Sequence, residues 1–213
     1  MKISYEHANP QHGNESFLIR VQEPHEEHTP CILVDAGDGV DIETLLGTDE
    51  YLVAVLLTHA HMDHYQSLPS ATQPGVPILT SPDTAAILND VLAEGNRNFD
   101  LGDTKKPLEQ VEPITDWTDV LGETISIRTI PAGHTPGACG FLIRIQDGED
   151  TIRILATGDF TVRDAAGYPG LDPSPYFDVD ILFLTAATAD AVDDCLTDII
   201  GTVAEQTNAG SRT

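Results

Sequence analysis

Tyr51-Leu52-Val53-Ala54-Val55-Leu56-Leu57, followed without a break by Thr58-His59-Ala60-His61-Met62-Asp63-His64, decides how this sequence is read. The first seven residues are apolar on both faces of an extended chain, which marks a strand in the middle of a covered sheet. The next seven put three imidazoles and a carboxylate within six residues. Imidazole nitrogen and carboxylate oxygen are the ligands that borderline cations such as Zn²⁺ prefer. His59 and His61, two apart, point the same way while the chain stays extended, so they can clamp one metal. Asp63 and His64 fall where the chain should turn into a helix, placed to face a second metal rather than crowd the first. The bland alternative is a polar loop rich in histidine, but ordinary sequence rarely gathers four metal-competent side chains behind a buried strand.

Upstream, Ser16–Val21 and Cys31–Val34 read as two apolar strands in antiparallel pairing, with a polar opening before them and a polar loop between. The second strand runs into Asp35-Ala36-Gly37. An aspartate there is either a turn former or a group held for a site, and the residues alone favour the turn. Asp41–Leu46 reads as a short helix. His7, His12, His25 and His28 lack tight spacing and a carboxylate partner, so they are expected at the surface.

Downstream, Val76–Thr80 reads as a strand, and Ser81-Pro82-Asp83 opens a helix that runs through Glu94 and is expected to end at Gly95. Residues 96–122 have little regular pattern and read as a connection with one short strand. Thr124–Ile130 alternates cleanly, as a strand with one wet face does. Pro131-Ala132-Gly133-His134-Thr135-Pro136-Gly137 then makes a tight loop around one histidine. Gly140–Ile145 and Thr151–Ala156 form a hairpin turned by Asp147-Gly148, and the second strand ends in Thr157-Gly158-Asp159-Phe160. Strands alternating with helices give a layered α/β domain.

The His-X-His-X-Asp-His motif, the Gly-His-Thr-Pro-Gly loop and the Thr-Gly-Asp-Phe strand end resemble, in that order, the signature of the metallo-β-lactamase fold superfamily, over about Leu33 to Phe160. The resemblance implies an αββα sandwich, two mixed sheets face to face with helices outside. It also implies two Zn²⁺ ions. His59, His61 and His134 would hold one; Asp63, His64 and a bridging Asp159 would hold the other. Asp63 would further act in catalysis by orienting the attacking water, and Asp35 would support the metal loop from behind. Thr157–Phe160 followed by an Asp-Val-Asp-Ile-Leu-Phe-Leu strand at 178–184 looks like the β-CASP branch, mostly RNA or DNA nucleases. That branch carries an acidic residue where this chain has Thr185. No histidine follows His134, although the family usually draws one from later in the chain for the second metal. The sequence therefore reads as a metallo-β-lactamase-like domain over 1–185. Residues 186–213 then read as a helix and the possible start of an inserted domain, in a chain truncated at its C-terminus with an incomplete second metal site.

Thirty-five acidic residues against ten basic ones give a net charge of −25. Several apolar runs exclude a disordered acidic chain, so the acid should coat a folded surface. Such a bias resembles proteins of halophilic archaea, whose salt-rich cytoplasm screens the repulsion. Cys31, Cys139 and Cys195 are widely spaced in apolar surroundings, which suits buried thiols in a reducing compartment rather than a disulfide framework. No leader-like start and no span-length apolar run are present, so the reading is cytoplasmic with no membrane partner. The function this implies is a zinc-dependent nuclease cleaving RNA or DNA through a two-metal-activated water. A small-molecule ester, thioester or lactone hydrolase and a metal-binding scaffold without activity are the alternatives. A homodimer is left open.

Overall fold

The computed structural model describes residues 1–13, 15–164, 167–172, 174 and 178–185. Cys195 and the helix expected in 186–213, with the domain boundary placed there, lie outside the described residues.

The apolar run becomes strand β4 (Glu50–Leu56), and it sits inside a sheet as its two apolar faces require. Six strands form this first sheet in the order β1 (Lys2–His7), β2 (Phe17–Gln22), β3 (Thr29–Val34), β4, β5 (Ile78–Thr80) and β6 (Val111–Pro113). β1 to β3 pair antiparallel and β3 to β6 parallel. A register shift opposite Cys31 and Ile32 inserts Val53 as an extra residue in β4, so Val53 and Ala54 both face the inner core while Leu52 and Val55 face outward. The second sheet runs β7 (Thr118–Leu121), β8 (Ile125–Pro131), β9 (Cys139–Asp147), β10 (Asp150–Ala156) and β11 (Ile181–Phe183) from one edge to the other. Only the β10–β11 pair in it is parallel. Both sheets are mixed.

Packed face to face, the sheets bury Phe17, Ile19, Ile32, Leu56 and Leu79 against Ile127, Phe141, Ile143 and Ile154. The outer face of the first sheet is covered by α1 (Ile42–Leu45), α2 (Met62–Tyr65), α3 (Leu68–Ala71), α4 (Pro82–Phe99) and α5 (Lys105–Leu108). They contribute Ile42, Tyr65, Leu68, Leu88, Leu92 and Leu108 to one apolar cluster. The structure is thus the expected sandwich.

Three local expectations need correction. The polar opening contains β1, an edge strand whose residues are all partly or fully exposed, so its pattern carries little burial signal. Gly95 does not end α4, which continues to Phe99 and stops at Asp100 in the left-handed region, φ 51°. Gly95 is buried because a Cβ there would lie 3.0 Å from both the Tyr65 hydroxyl and Leu101 Cδ1. Close packing, not chain reversal, selects glycine. Residues 96–122 hold the end of α4, α5, β6 and β7 rather than one short strand.

Among the described acidic residues only Asp35 and Asp159 are buried, so the negative charge does coat a folded surface. Raising salt from 0.1 M to 1 M shortens the Debye length from about 10 Å to about 3 Å. The melting temperature should therefore climb with KCl, by about 2–4 °C for each kcal/mol of repulsion relieved in a chain of this size. A melting temperature flat between low and molar KCl would defeat the expectation.

Cys31 and Cys139 are buried and free, and burial pushes the Cys31 thiol up to about 12. They are packing residues, not nucleophiles.

Candidate metal centre

β4 ends against Asp35, and the metal-competent residues start directly beyond it. Leu57 and Thr58 are fully buried, His61 is still extended (φ −87°, ψ 149°), and it caps α2, where the chain turns helical at Met62 as expected. His59 is therefore inside the protein and His61 at the mouth. Their rings lie 4.7 Å apart, edge to face. The second sheet supplies the remaining residues. The Cys139 amide donates to the Thr58 carbonyl at 3.0 Å, stitching the start of β9 to the metal motif. The loop before β9 is pinned by the Thr84 hydroxyl on Gly137 O (2.9 Å) and by an Ala132 to Ala138 backbone bond (3.1 Å). It presents His134 half-buried. β10 ends in Thr157-Gly158-Asp159, with Asp159 8% exposed.

The ligand atoms fall into two compact groups, His59 with His61 and His134, and His59 with His64 and Asp159, each within 4.8 Å. His134 Nε2 lies 3.3 Å from His61 Nδ1 and 3.5 Å from Asp159 Oδ2. Asp159 Oδ2 lies 3.8 Å from His64 Nε2, so this carboxylate stands between the groups. Asp63 is exposed on the rim, its Oδ2 3.8 Å from His64 Nε2. In the second compact group His59 thus stands where the sequence reading put Asp63. His7, His12, His25 and His28 are all exposed, as expected.

Behind the rings lies a buried polar layer. Asp35, 1% exposed and in the left-handed region at φ 57°, accepts the Thr58 amide at 2.8 Å and the Thr58 hydroxyl at 2.9 Å. It also takes His64 Nδ1–H at 2.8 Å. Burial is the largest single influence on His64 and opposes its charging, but the carboxylates of Asp35, Asp159 and Asp63 together outweigh it and raise the imidazole to about 9. Burial, with the neighbouring imidazoles, drives His59 down to about 2, so its ring is neutral. His134 is lowered as well, chiefly by burial.

The residues fit a metal. The Nε2 atoms of His59 and His64 are buried without a hydrogen-bond partner, a costly state for polar atoms unless something ligates them. Imidazole and carboxylate donors are the set that Zn²⁺ takes. Thr58 is the residue that sequence reasoning passed over. Its place at the junction of strand and motif was the available signal. Thr185, at the end of β11, donates its amide to the Thr157 hydroxyl at 3.1 Å, close to the strand end that carries Asp159.

Residues 31–190 match a family model described as "Beta-lactamase superfamily domain". An uncharacterized protein of Synechocystis is 31% identical over 147 residues, 68% of this chain and 25% of that protein. Endoribonuclease YSH1 of Mycosarcoma maydis is 29% identical over 125 residues, 51% of this chain and 14% of that protein. The chain thus spans a quarter or less of the length of these curated relatives. A solved structure of a protein of unknown function from Enterococcus faecalis superposes with a TM-score of 0.51 at 20% identity, covering 89% of this chain and 54% of the other. That likeness concerns the fold alone. No described helix is long and apolar enough to cross a membrane.

Proposed function

The chain belongs to the beta-lactamase superfamily, the metallo-β-lactamase fold of metal-dependent hydrolases, and from that premise we propose that it is a zinc-dependent nuclease of β-CASP type that cleaves phosphodiester bonds of RNA or DNA. The observation that carries this reading is the pair of donor groups sharing His59, with Asp159 between them. That geometry suits two adjacent ions. When bound, zinc would supply Lewis-acid charge at a phosphoryl oxygen and lower the pKa of water towards neutrality. His59, His61 and His134 would hold one ion; His64, Asp159 and Asp63 would hold the other.

The chain's own residues have distinct tasks. Neutral His59 offers a lone pair without first losing a proton. Asp159, at 3.5 and 3.8 Å from imidazoles of both groups, holds the groups in register. Asp63, on the rim with its carboxylate in solvent, is placed to orient a water and take its proton. Asp35 sits too deep to touch a substrate and acts through Thr58 and His64. The Mycosarcoma relative is named as an endoribonuclease, which supports a nucleic-acid substrate.

Two observations favour a second reading, hydrolysis of a small ester, thioester or lactone. Thr185 stands where the nuclease branch carries an acid, and a net charge of −25 repels a polyanion when salt is low. Labelled RNA, labelled DNA and chromogenic ester, thioester and lactone substrates, each with zinc in molar KCl, separate the readings. The expected result is nucleic-acid cleavage that stops on chelation and in His61→Ala. Turnover of the small substrates with nucleic acid intact would overturn the nuclease reading.

A further inference from the structure

We propose that the Thr58 hydroxyl is a positioning group that fixes the tautomer of His59, so that the single carboxylate of Asp35 orients imidazoles of both donor groups. The inference rests on the metal-centre reading only for its consequence, not for its geometry.

Asp35 is an acceptor, and it takes the Thr58 amide on Oδ1 at 2.8 Å and His64 Nδ1–H on Oδ2 at 2.8 Å. The Thr58 hydroxyl lies 3.1 and 2.9 Å from the same two oxygens. A hydroxyl has one proton, and a buried carboxylate is the strongest acceptor within its reach, so the proton goes to Asp35. Towards any other neighbour Thr58 Oγ1 can only accept. Two such neighbours exist: His64 Nδ1 at 3.4 Å, whose proton already goes to Asp35, and His59 Nδ1 at 3.0 Å. Two facing acceptors would repel, so Nδ1 of His59 carries the ring proton and Nε2 is left bare. This is the buried, unpartnered Nε2 that belongs to both donor groups.

One carboxylate therefore reaches both rings. It holds His64 directly, through Nδ1–H, and holds His59 at one remove, through a hydroxyl. Backbone geometry locks the relay. Gly158, at φ 56°, brings the Asp159 strand end so close that a Cβ there would lie 2.7 Å from Thr58 Cβ and Cγ2. Any side chain at 158 would therefore push the Thr58 side chain, with its hydroxyl, out of this position. Valine has the same shape without the hydroxyl; serine keeps the hydroxyl without the methyl.

Long-range proton–nitrogen NMR correlations on metal-free, ¹⁵N-histidine-labelled protein read the His59 tautomer directly. The wild-type chain should show Nδ1–H, and Thr58→Ser should keep it. Thr58→Val should show an altered tautomer at His59. Zinc affinity, measured by competition with a chromophoric chelator, should fall by about 10–100-fold in Thr58→Val, the loss typical of a lost outer-shell partner, and recover in Thr58→Ser. A His59 carrying its proton on Nε2 in the wild-type chain overturns the inference without recourse to any variant. So does Thr58→Val with an unchanged tautomer and unchanged zinc affinity. The Nδ1–H tautomer in wild type, altered in Thr58→Val, in a chain that takes up no zinc would uphold the relay and overturn the metal-centre reading instead.

Discussion

His59→Ala/His61→Ala protein, loaded with zinc and then dialysed, should retain no tightly bound ion at the site formed with His134. Structural zinc sites bind with about 10–16 kcal/mol over four ligands, so each ligand carries roughly 2.5–4 and losing two costs roughly 5–8 kcal/mol. That is a fall in affinity of about 10⁴-fold or more. His61 is exposed, and His61→Ala alone should leave the melting temperature of the metal-free chain where it was while still weakening zinc. Metal analysis after dialysis, with circular dichroism to verify the fold, gives the answer. Retention of about one zinc per chain in the double variant, with the His134 site still occupied, would end the assignment of these two histidines.

Asp35→Ala and Asp35→Asn should fail in different ways. The alanine leaves the Thr58 amide, the Thr58 hydroxyl and His64 Nδ1 buried without their acceptor. Removing one partner of such a buried charged network costs about 3–5 kcal/mol, a large part of an ordinary domain's stability. Asparagine tolerates the left-handed backbone at φ 57° better than most residues, and its oxygen can still accept from the Thr58 amide. Its NH₂ group then faces His64 and donates to Nδ1. This forces the His64 proton onto Nε2, the atom aimed into the site, where it competes with a metal. The expected outcome is an Asp35→Ala chain destabilised by several kcal/mol in urea, and an Asp35→Asn chain much closer to wild-type stability with zinc affinity lowered by about 10–100-fold. An Asp35→Asn chain that binds zinc as wild type does would remove Asp35 from the set of orienting residues.

Short-range pattern carried the layered α/β alternation and a candidate ligand cluster, whereas the αββα sandwich was implied by the resemblance to a known family. An apolar run such as Tyr51–Leu57 has to be covered on both faces, and the chemistry of imidazole and carboxylate singles out His59, His61, Asp63 and His64 as candidates without any neighbour. The glycine-framed His134 and the strand-end Asp159 became ligand candidates only through the resemblance of their segments to those of the superfamily. Tertiary structure alone decided three matters. Gly95 looked like a helix stop because local propensity says so, yet the Tyr65 hydroxyl 3.0 Å from where its Cβ would be keeps glycine inside α4. β1 looked like a polar opening because an edge strand buries too little to leave an apolar stripe. The grouping of donors could not be read either, since His59 meets Asp159 across a sequence gap closed only when the second sheet joins Thr58 through the Cys139 amide. Thr58 passed unnoticed for the same reason: one hydroxyl has no pattern, and its role exists only where Asp35, His59 and Gly158 converge on it. Local rules carry residue type and period, whereas the direction of a proton in a buried network is set by partners that only the folded chain brings within 3 Å.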